Sequence, residues 1–286
     1  MERLKNIVLR GAENKPLALD IFYKDKEPQP VVIYAHGFNG FKDWGNFDLV
    51  AQRFAEAGLA FVKFNFSHNG TTPEKPEEFV DPEAFGLNNY TRELYDLQIV
   101  IGWVVNSAAQ EGSPIDPDRI FLVGHSMGGG IVLLKAAEDP RVKGVATWAS
   151  ISECKTPWGS WNAGRLEEWK RTGVQYVTNS RTKQDMPLFY QLYEDYQAHQ
   201  ERLDIKAAVK RLSIPLLICH GTHDEAVSII NAYELHAAAK DAELFEVDSD
   251  HVFGRKHPWT GETLPAAMQQ VVNKTIEFFK KISGKE

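Results

Sequence analysis

Short, continuously apolar runs alternate along the chain with longer stretches whose apolar residues recur every three or four positions. The runs at Ile7–Arg10, Leu17–Tyr23, Val31–His36, Ala60–Phe66, Arg119–Gly124, Gly144–Ala149, Pro215–His220 and Glu243–Val247 read as strands. Val31–Ala35 and Leu216–Cys219 show no polar alternation, which marks parallel strands covered on both faces. Between them, Tyr90, Leu94, Leu97, Ile101, Val104 and Ala108 form one face of a helix that Asn89 is placed to cap. Phe47–Ala57 reads as a helix stopped by Gly58. Ser228 is placed to cap a helix running to Lys240, and Met268, Val272, Ile276 and Phe279 mark a C-terminal helix. Strands alternating with helices predict an α/β fold with a mostly parallel eight-stranded sheet flanked by helices. The first two strands lie so close in sequence that an antiparallel edge hairpin is expected.

Two stretches break this rhythm. Ser67–Leu87 carries Pro73, Pro76, Pro82 and many charges, and is expected to be a long exposed loop. Ile151–Leu212 separates two sheet strands by far more chain than a simple crossover needs. We expect a single domain over 1–286, with 151–212 as a small inserted substructure above the sheet.

Composition narrows the function classes. The 286 residues carry a formal net charge of −7, which argues against a nucleic-acid partner. The longest apolar runs fall far short of a membrane span, and the first ten residues lack a secretory apolar core. The expected location is cytoplasmic, with no membrane partner. Two cysteines, Cys154 and Cys219, make neither a disulfide framework nor a zinc quartet, and Cys219 reads as a small buried hydrophobe. Oligomeric state is left open.

The chemistry concentrates in Gly124-His125-Ser126-Met127-Gly128, a G-x-S-x-G pattern between a strand and a helix-forming segment. Such a turn presents the serine at a helix N-terminus, where negative charge is favoured, and its glycines let neighbouring backbone pass. The alternative of a dinucleotide-binding glycine loop fits less well, because Ser126 occupies the middle place. A serine nucleophile needs a base oriented by an acid. Asp224 follows the strand Pro215–His220, on the sheet edge where open α/β sheets place their sites, with Glu225 as its neighbouring alternative. His251 follows the last strand on the same edge and is read as the base. His257 is the fallback, and His236 lies within a helix. Two amides are needed for an oxyanion: Met127, after the nucleophile, and Phe38, in the turn His36-Gly37-Phe38-Asn39-Gly40. His36 itself reads as a buried hydrogen-bonding residue.

With these residues in view, the chain resembles serine hydrolases of the α/β-hydrolase superfamily. It is similar to the branch of dienelactone hydrolases and prolyl-oligopeptidase-like enzymes that includes cinnamoyl and feruloyl esterases. The resemblance runs from His36-Gly-Phe38 through the Ser126 motif and Gly221-Thr-His-Asp224 to Asp250-His251 with His257-Pro258. Dienelactone hydrolases proper use cysteine where this chain has Ser126, so their lactone substrate does not carry over. The resemblance implies a serine esterase for small or aromatic-acyl esters, needing no cofactor or metal. A thioesterase, an acyltransferase or a peptidase would use the same triad. The 151–212 insertion resembles a small esterase cap. Trp158, Trp161 and Trp169 then either wall an acyl pocket or pack the cap down. Lys155, Arg165, Lys170, Arg171, Arg181 and Lys183 make it locally basic, which a solvated face explains as readily as an acidic substrate does. His68 and Asn69 sit on the correct edge without an assigned role. His220 and His223 flank Gly221 and need no metal to account for them.

Overall fold

The apolar runs at the start of the chain form the expected hairpin, β1 (Glu2–Arg10) against β2 (Pro16–Tyr23), paired antiparallel. The computed structural model describes residues 1–45 and 47–284. It continues the hairpin into β3 (Gln29–Ala35), β4 (Ala60–Phe64), β5 (Ile115–His125) and β6 (Val142–Trp148). A separate antiparallel pair follows, β7 (Val174–Thr178) with β8 (Asp185–Phe189), and then β9 (Leu216–Gly221) and β10 (Ala242–Val247). The main sheet has eight strands in the order β1-β2-β4-β3-β5-β6-β9-β10. β2 runs antiparallel to β4, and every pairing from β4 to β10 is parallel. All eight strands expected from the apolar runs belong to it.

Side chains alternate across these strands, as a two-residue period requires. In β3, Val31, Ile33 and Ala35 enter one core layer, while Val32 and Tyr34 enter the other. The first layer is covered by α3 (Tyr90–Ala108), α4 (Met127–Glu138), α7 (Ile205–Arg211) and α8 (Ile230–Ala238). The second is covered by α1 (Phe47–Glu56) and α9 (Ala266–Ser283). The Asn89 side chain accepts the Arg92 amide at 2.8 Å and caps α3 as expected. Gly58 takes a positive φ of 79° two residues after α1 ends. The Ser228 expectation needs correction. The residue before α8 is Ile229, and Ser228 Oγ only accepts the Ile230 amide in a local turn; the helix ends at Ala238.

The Ser67–Leu87 expectation is overturned over its first part. Ser67, His68, Asn69 and Thr71 are buried, and the segment ends in a short helix, α2 (Pro82–Leu87), capped by Asp81. Polar residues here are buried in pairs with one another, which composition does not reveal. Residues 151–212 contain a 3-10 turn at Trp158–Ser160, α5 (Ala163–Thr172), the β7–β8 pair, α6 (Gln191–Ala198) and α7. Trp169 is fully buried, and Trp158 and Tyr190 pack against it. The tryptophans therefore hold this substructure together rather than wall a pocket. Among the described residues, no helix is long and apolar enough to cross a membrane.

Candidate active site

Ser126 stands between β5 and α4 with φ 56° and ψ −121°, a conformation that L-residues rarely adopt. Surrounding bonds hold it there. Its amide donates to Trp148 O at 2.9 Å, and its carbonyl accepts the Gly129 and Ile151 amides at 3.0 and 3.3 Å. The glycines are required by contact. A Cβ on Gly124 would collide with the Gly128 backbone, and one on Gly128 with the carbonyls of Ala35 and His36. This close passage sets the His36–Gly40 turn beside the serine. A Cβ on Gly37 would lie 3.4 Å from Ser126 Oγ.

Asp224 lies just beyond β9, buried, and all its acceptor positions face donors. Its Oδ1 accepts the Ala226 and Val227 amides at 2.9 and 2.8 Å, and its Oδ2 accepts His251 Nδ1 at 2.7 Å. His220 Nε2 lies 3.2 Å from the same Oδ2 and also donates to Val227 O at 2.8 Å. Burial alone would raise the Asp224 carboxyl. Hydrogen bonds from His220 and His251, with the His251 charge, outweigh it and hold the group well below the usual carboxylate range. An ionised carboxylate only accepts, so in the neutral ring His251 Nδ1 carries the proton and Nε2 is left as an acceptor; a proton taken up there creates the charge that Asp224 and His125 feel. Glu225, the alternative acid, is exposed.

His125, the variable residue of the motif, supports the His251 segment. Its Nε2 donates to His251 O at 2.9 Å, and the two rings lie 4.8 Å apart. Burial, with the positive charges of His251 and Arg255, keeps His125 well below the usual histidine range and therefore neutral. Nothing in the sequence marks His125 or His220 for these positions except their adjacency to Ser126 and Asp224.

The His36–Gly40 turn is anchored by buried polar groups. His36 donates from Nδ1 to Gly37 O at 2.9 Å, and its Nε2 accepts the Phe66 amide at 3.3 Å. Burial pushes its pKa down to about 4, so the ring stays neutral, as its structural reading requires. Asn69 donates to Gly40 O at 3.2 Å and accepts from Thr71. Asn65, which the sequence reading missed, accepts the Lys42 amide at 2.7 Å. Among the described residues, no hydrogen-bond acceptor takes the Phe38 or the Met127 amide.

Two clefts meet at this point, and Ser126, Phe38 and His251 line both. The first, about 440 Å³, is walled by Phe41, Trp44 and Phe47 and rimmed by Arg181 and Lys256. The second, about 760 Å³, runs along Ile151–Lys155 and the start of α8. Of the basic residues in 151–212, Arg181 and Lys155 line these clefts. His257 lines the first but accepts the Gly45 amide at 3.2 Å and is paired with no carboxylate among the described residues. The exposed His236 ring bonds to Ala242 O at 3.1 Å. Asp20, Asp43 and Asp48 bring three carboxylates together, but the buried ammonium of Lys63 pairs with all three and Lys42 with two. Two lysines thus occupy the space a metal ion would need.

The sheet order and the strand-to-helix serine turn define an α/β hydrolase. A family model described as "Serine aminopeptidase, S33" matches residues 26–195, more than half of the sequence. The chain belongs to that family. It is 30% identical over 125 residues to the quorum-quenching protein AidA of Acinetobacter baumannii, covering 44% of this chain and 35% of that one. It is 32% identical over 130 residues to a monoacylglycerol lipase of Mycolicibacterium smegmatis, covering 46% and 40%. The match thus spans well under half the length of these relatives. Among solved structures, Est1E from Butyrivibrio proteoclasticus with bound ferulic acid superposes with a TM-score of 0.69 at 18% identity, covering 98% of this chain and all of that one. A dienelactone hydrolase from Anabaena variabilis superposes at 0.63 and 16% identity, covering 98% and 99%. These likenesses show the fold, and they agree with the esterase-like branch read from the motifs.

Proposed function

We propose that the protein is a serine carboxylic-ester hydrolase acting through an acyl-enzyme, with Ser126 as nucleophile, His251 as general base and Asp224 as the orienting acid. The observation that carries this reading is the 2.7 Å bond from His251 Nδ1 to Asp224, which leaves Nε2 as the acceptor on a ring that lines the same clefts as Ser126. In the cycle, Ser126 Oγ attacks the ester carbonyl as its proton passes to His251. Asp224 stabilises the resulting imidazolium. The Phe38 and Met127 amides donate to the tetrahedral oxyanion. His251 returns the proton to the departing alcohol, then takes one from the water that cleaves the acyl-enzyme. The Phe38 and Met127 amides have no acceptor among the described residues and so remain available for that role, and residues 151–212 act as the cap over the acyl and alcohol clefts.

The family description, serine aminopeptidase, favours a second reading, a peptidase acting at free N-termini. Such an enzyme must hold an ammonium group. Among the described residues, the first cleft contains no carboxylate side chain. In the second, Glu153 and Glu234 are engaged by Lys155 and Lys206. This charge balance supports an ester substrate. The test is turnover of p-nitrophenyl butyrate beside alanine p-nitroanilide. We expect ester hydrolysis that falls by about 10⁴–10⁶ in Ser126→Ala. Undiminished ester turnover in that variant, or faster cleavage of the anilide, would overturn the proposal.

A further inference from the structure

We propose that the first cleft selects an ester bearing a carboxylate on whichever half of the molecule it holds. The inference rests on the hydrolase reading above and names its substrate class.

The cleft carries uncompensated positive charge. Arg255 is 3% exposed and lines it. The guanidinium uses Nε to donate to Val252 O at 3.0 Å, but Nη1 and Nη2 have no hydrogen-bond partner among the described residues. Its faces lie on aromatic rings, 4.6 Å from the Phe47 centroid and 5.4 Å from that of Trp44. A buried guanidinium normally finds a carboxylate, because leaving its donors unpaired is costly. The Tyr34 hydroxyl lies close enough to Arg255 to stabilise its charge, but burial keeps that hydroxyl neutral; the carboxylate whose charge Arg255 feels is Asp250, and no carboxylate pairs with Nη1 or Nη2 among the described residues. Asp250 Oδ1 is taken by the Val252 and Gly254 amides. Asp43, the carboxylate that His257 senses, is locked to Lys42 and Lys63.

Two further cations stand at the mouth. Arg181 and Lys256 are exposed and make no ion pair among the described residues, although carboxylates outnumber cations over the whole chain. Low-dielectric aromatic walls focus the field of such charges into the cleft. Arg255 therefore supplies charge from behind the wall, while Arg181 and Lys256 reach the ligand directly. Arg181 presents the planar fork that suits a carboxylate. The Phe41 and Trp44 walls accommodate the apolar stem between that carboxylate and the ester.

The test compares matched pairs of esters at low salt. Mono-p-nitrophenyl adipate is set against p-nitrophenyl hexanoate, placing the charge on the acyl side. The 4-butyryloxybenzoate anion is set against phenyl butyrate, placing it on the alcohol side. Each rate is normalised to that ester's own hydroxide rate. We expect the anionic member of one pair to be preferred by about tenfold or more in kcat/KM. The preference should shrink by at least about threefold in Arg181→Ala/Lys256→Ala, whose two sites are exposed, and in about 0.5 M salt. Preference for the neutral member in both pairs, or an anion preference indifferent to charge removal and to salt, would overturn the inference. If no ester is turned over, the hydrolase reading has failed. Calorimetric binding of adipic acid monoanilide against hexananilide then decides this inference separately: tighter anion binding supports it and equal binding overturns it. Stronger competition by phenyl phosphate than by benzoate would replace carboxylate with phosphate and overturn the stated class.

Discussion

Replacing Asp224 by asparagine tests the proposed triad without changing its shape. Oδ1 of Asp224 accepts two backbone amides at 2.9 and 2.8 Å, so the asparagine must place its carbonyl there. Its NH2 then faces His251 Nδ1 and His220 Nε2, where the carboxylate had accepted at 2.7 and 3.2 Å. A donor now opposes a donor, and His251 is forced into the tautomer that carries its proton on Nε2. That tautomer cannot accept the Ser126 proton. Other triads lose about 10⁴ in kcat on this change, or about 5 kcal/mol of barrier. The assay is steady-state hydrolysis of p-nitrophenyl butyrate at neutral pH, where we expect a comparable loss in kcat with little change in KM. A kcat within tenfold of the parent would show that the Asp224–His251 bond does not set the tautomer, and would refute the reasoning.

Further predictions follow from the buried groups. Glu93 is buried, with Oε1 accepting from Asn88 and Oε2 unpaired, and burial pushes its pKa up to about 8. A raised carboxyl favours the fold while neutral, so its stability is complete below the ordinary carboxylate range and is lost as pH climbs through about 8. Glu93→Gln should therefore raise Tm above pH 8 and not at pH 5; calorimetry showing the same difference at both would contradict this. Trp169 is fully buried and donates to Leu188 O at 2.7 Å. Trp169→Ala should cost about 3–5 kcal/mol, lowering Tm by roughly 6–20 °C; a drop under 3 °C would mean residues 151–212 do not unfold with the sheet. Asn69→Ala frees Gly40 O and loosens the proposed oxyanion turn, so kcat on a neutral ester should fall by about tenfold or more with KM nearly constant. A change in KM alone would assign Asn69 to substrate binding instead.

The parts of this architecture that were legible in the sequence are those written in apolar period. Val31–Ala35 and Leu216–Cys219 are central strands because their side chains enter both core layers, and uninterrupted apolarity records that. Asn89 was readable as a cap because its oxygen acts on the amide three residues ahead. The β7–β8 pair left no comparable trace. Each strand is five residues long, no residue of β7 is fully buried, and Pro187 lies inside β8. The segment from Ser67 to Thr71 misled in the opposite direction. Its polar side chains look like those of a solvated loop, yet Asp96 accepts the Ser67 amide and Asn69 ties down the His36–Gly40 turn. At the site, residue type and chain order pointed to Ser126, Asp224 and His251. His220 and His125 depend on contacts between residues brought together only by the fold. The open charge of the first cleft was invisible for the same reason: Arg181 and Arg255 lie 74 positions apart.

The central claim is that Ser126 attacks covalently with His251 as its base. A fluorophosphonate, which reacts with an activated serine hydroxyl, tests it directly by intact mass and peptide mapping. We expect one adduct per chain, carried on Ser126, absent in Ser126→Ala and formed far more slowly in His251→Gln. An adduct on another residue, or labelling of Ser126 at an undiminished rate without His251, would contradict the account.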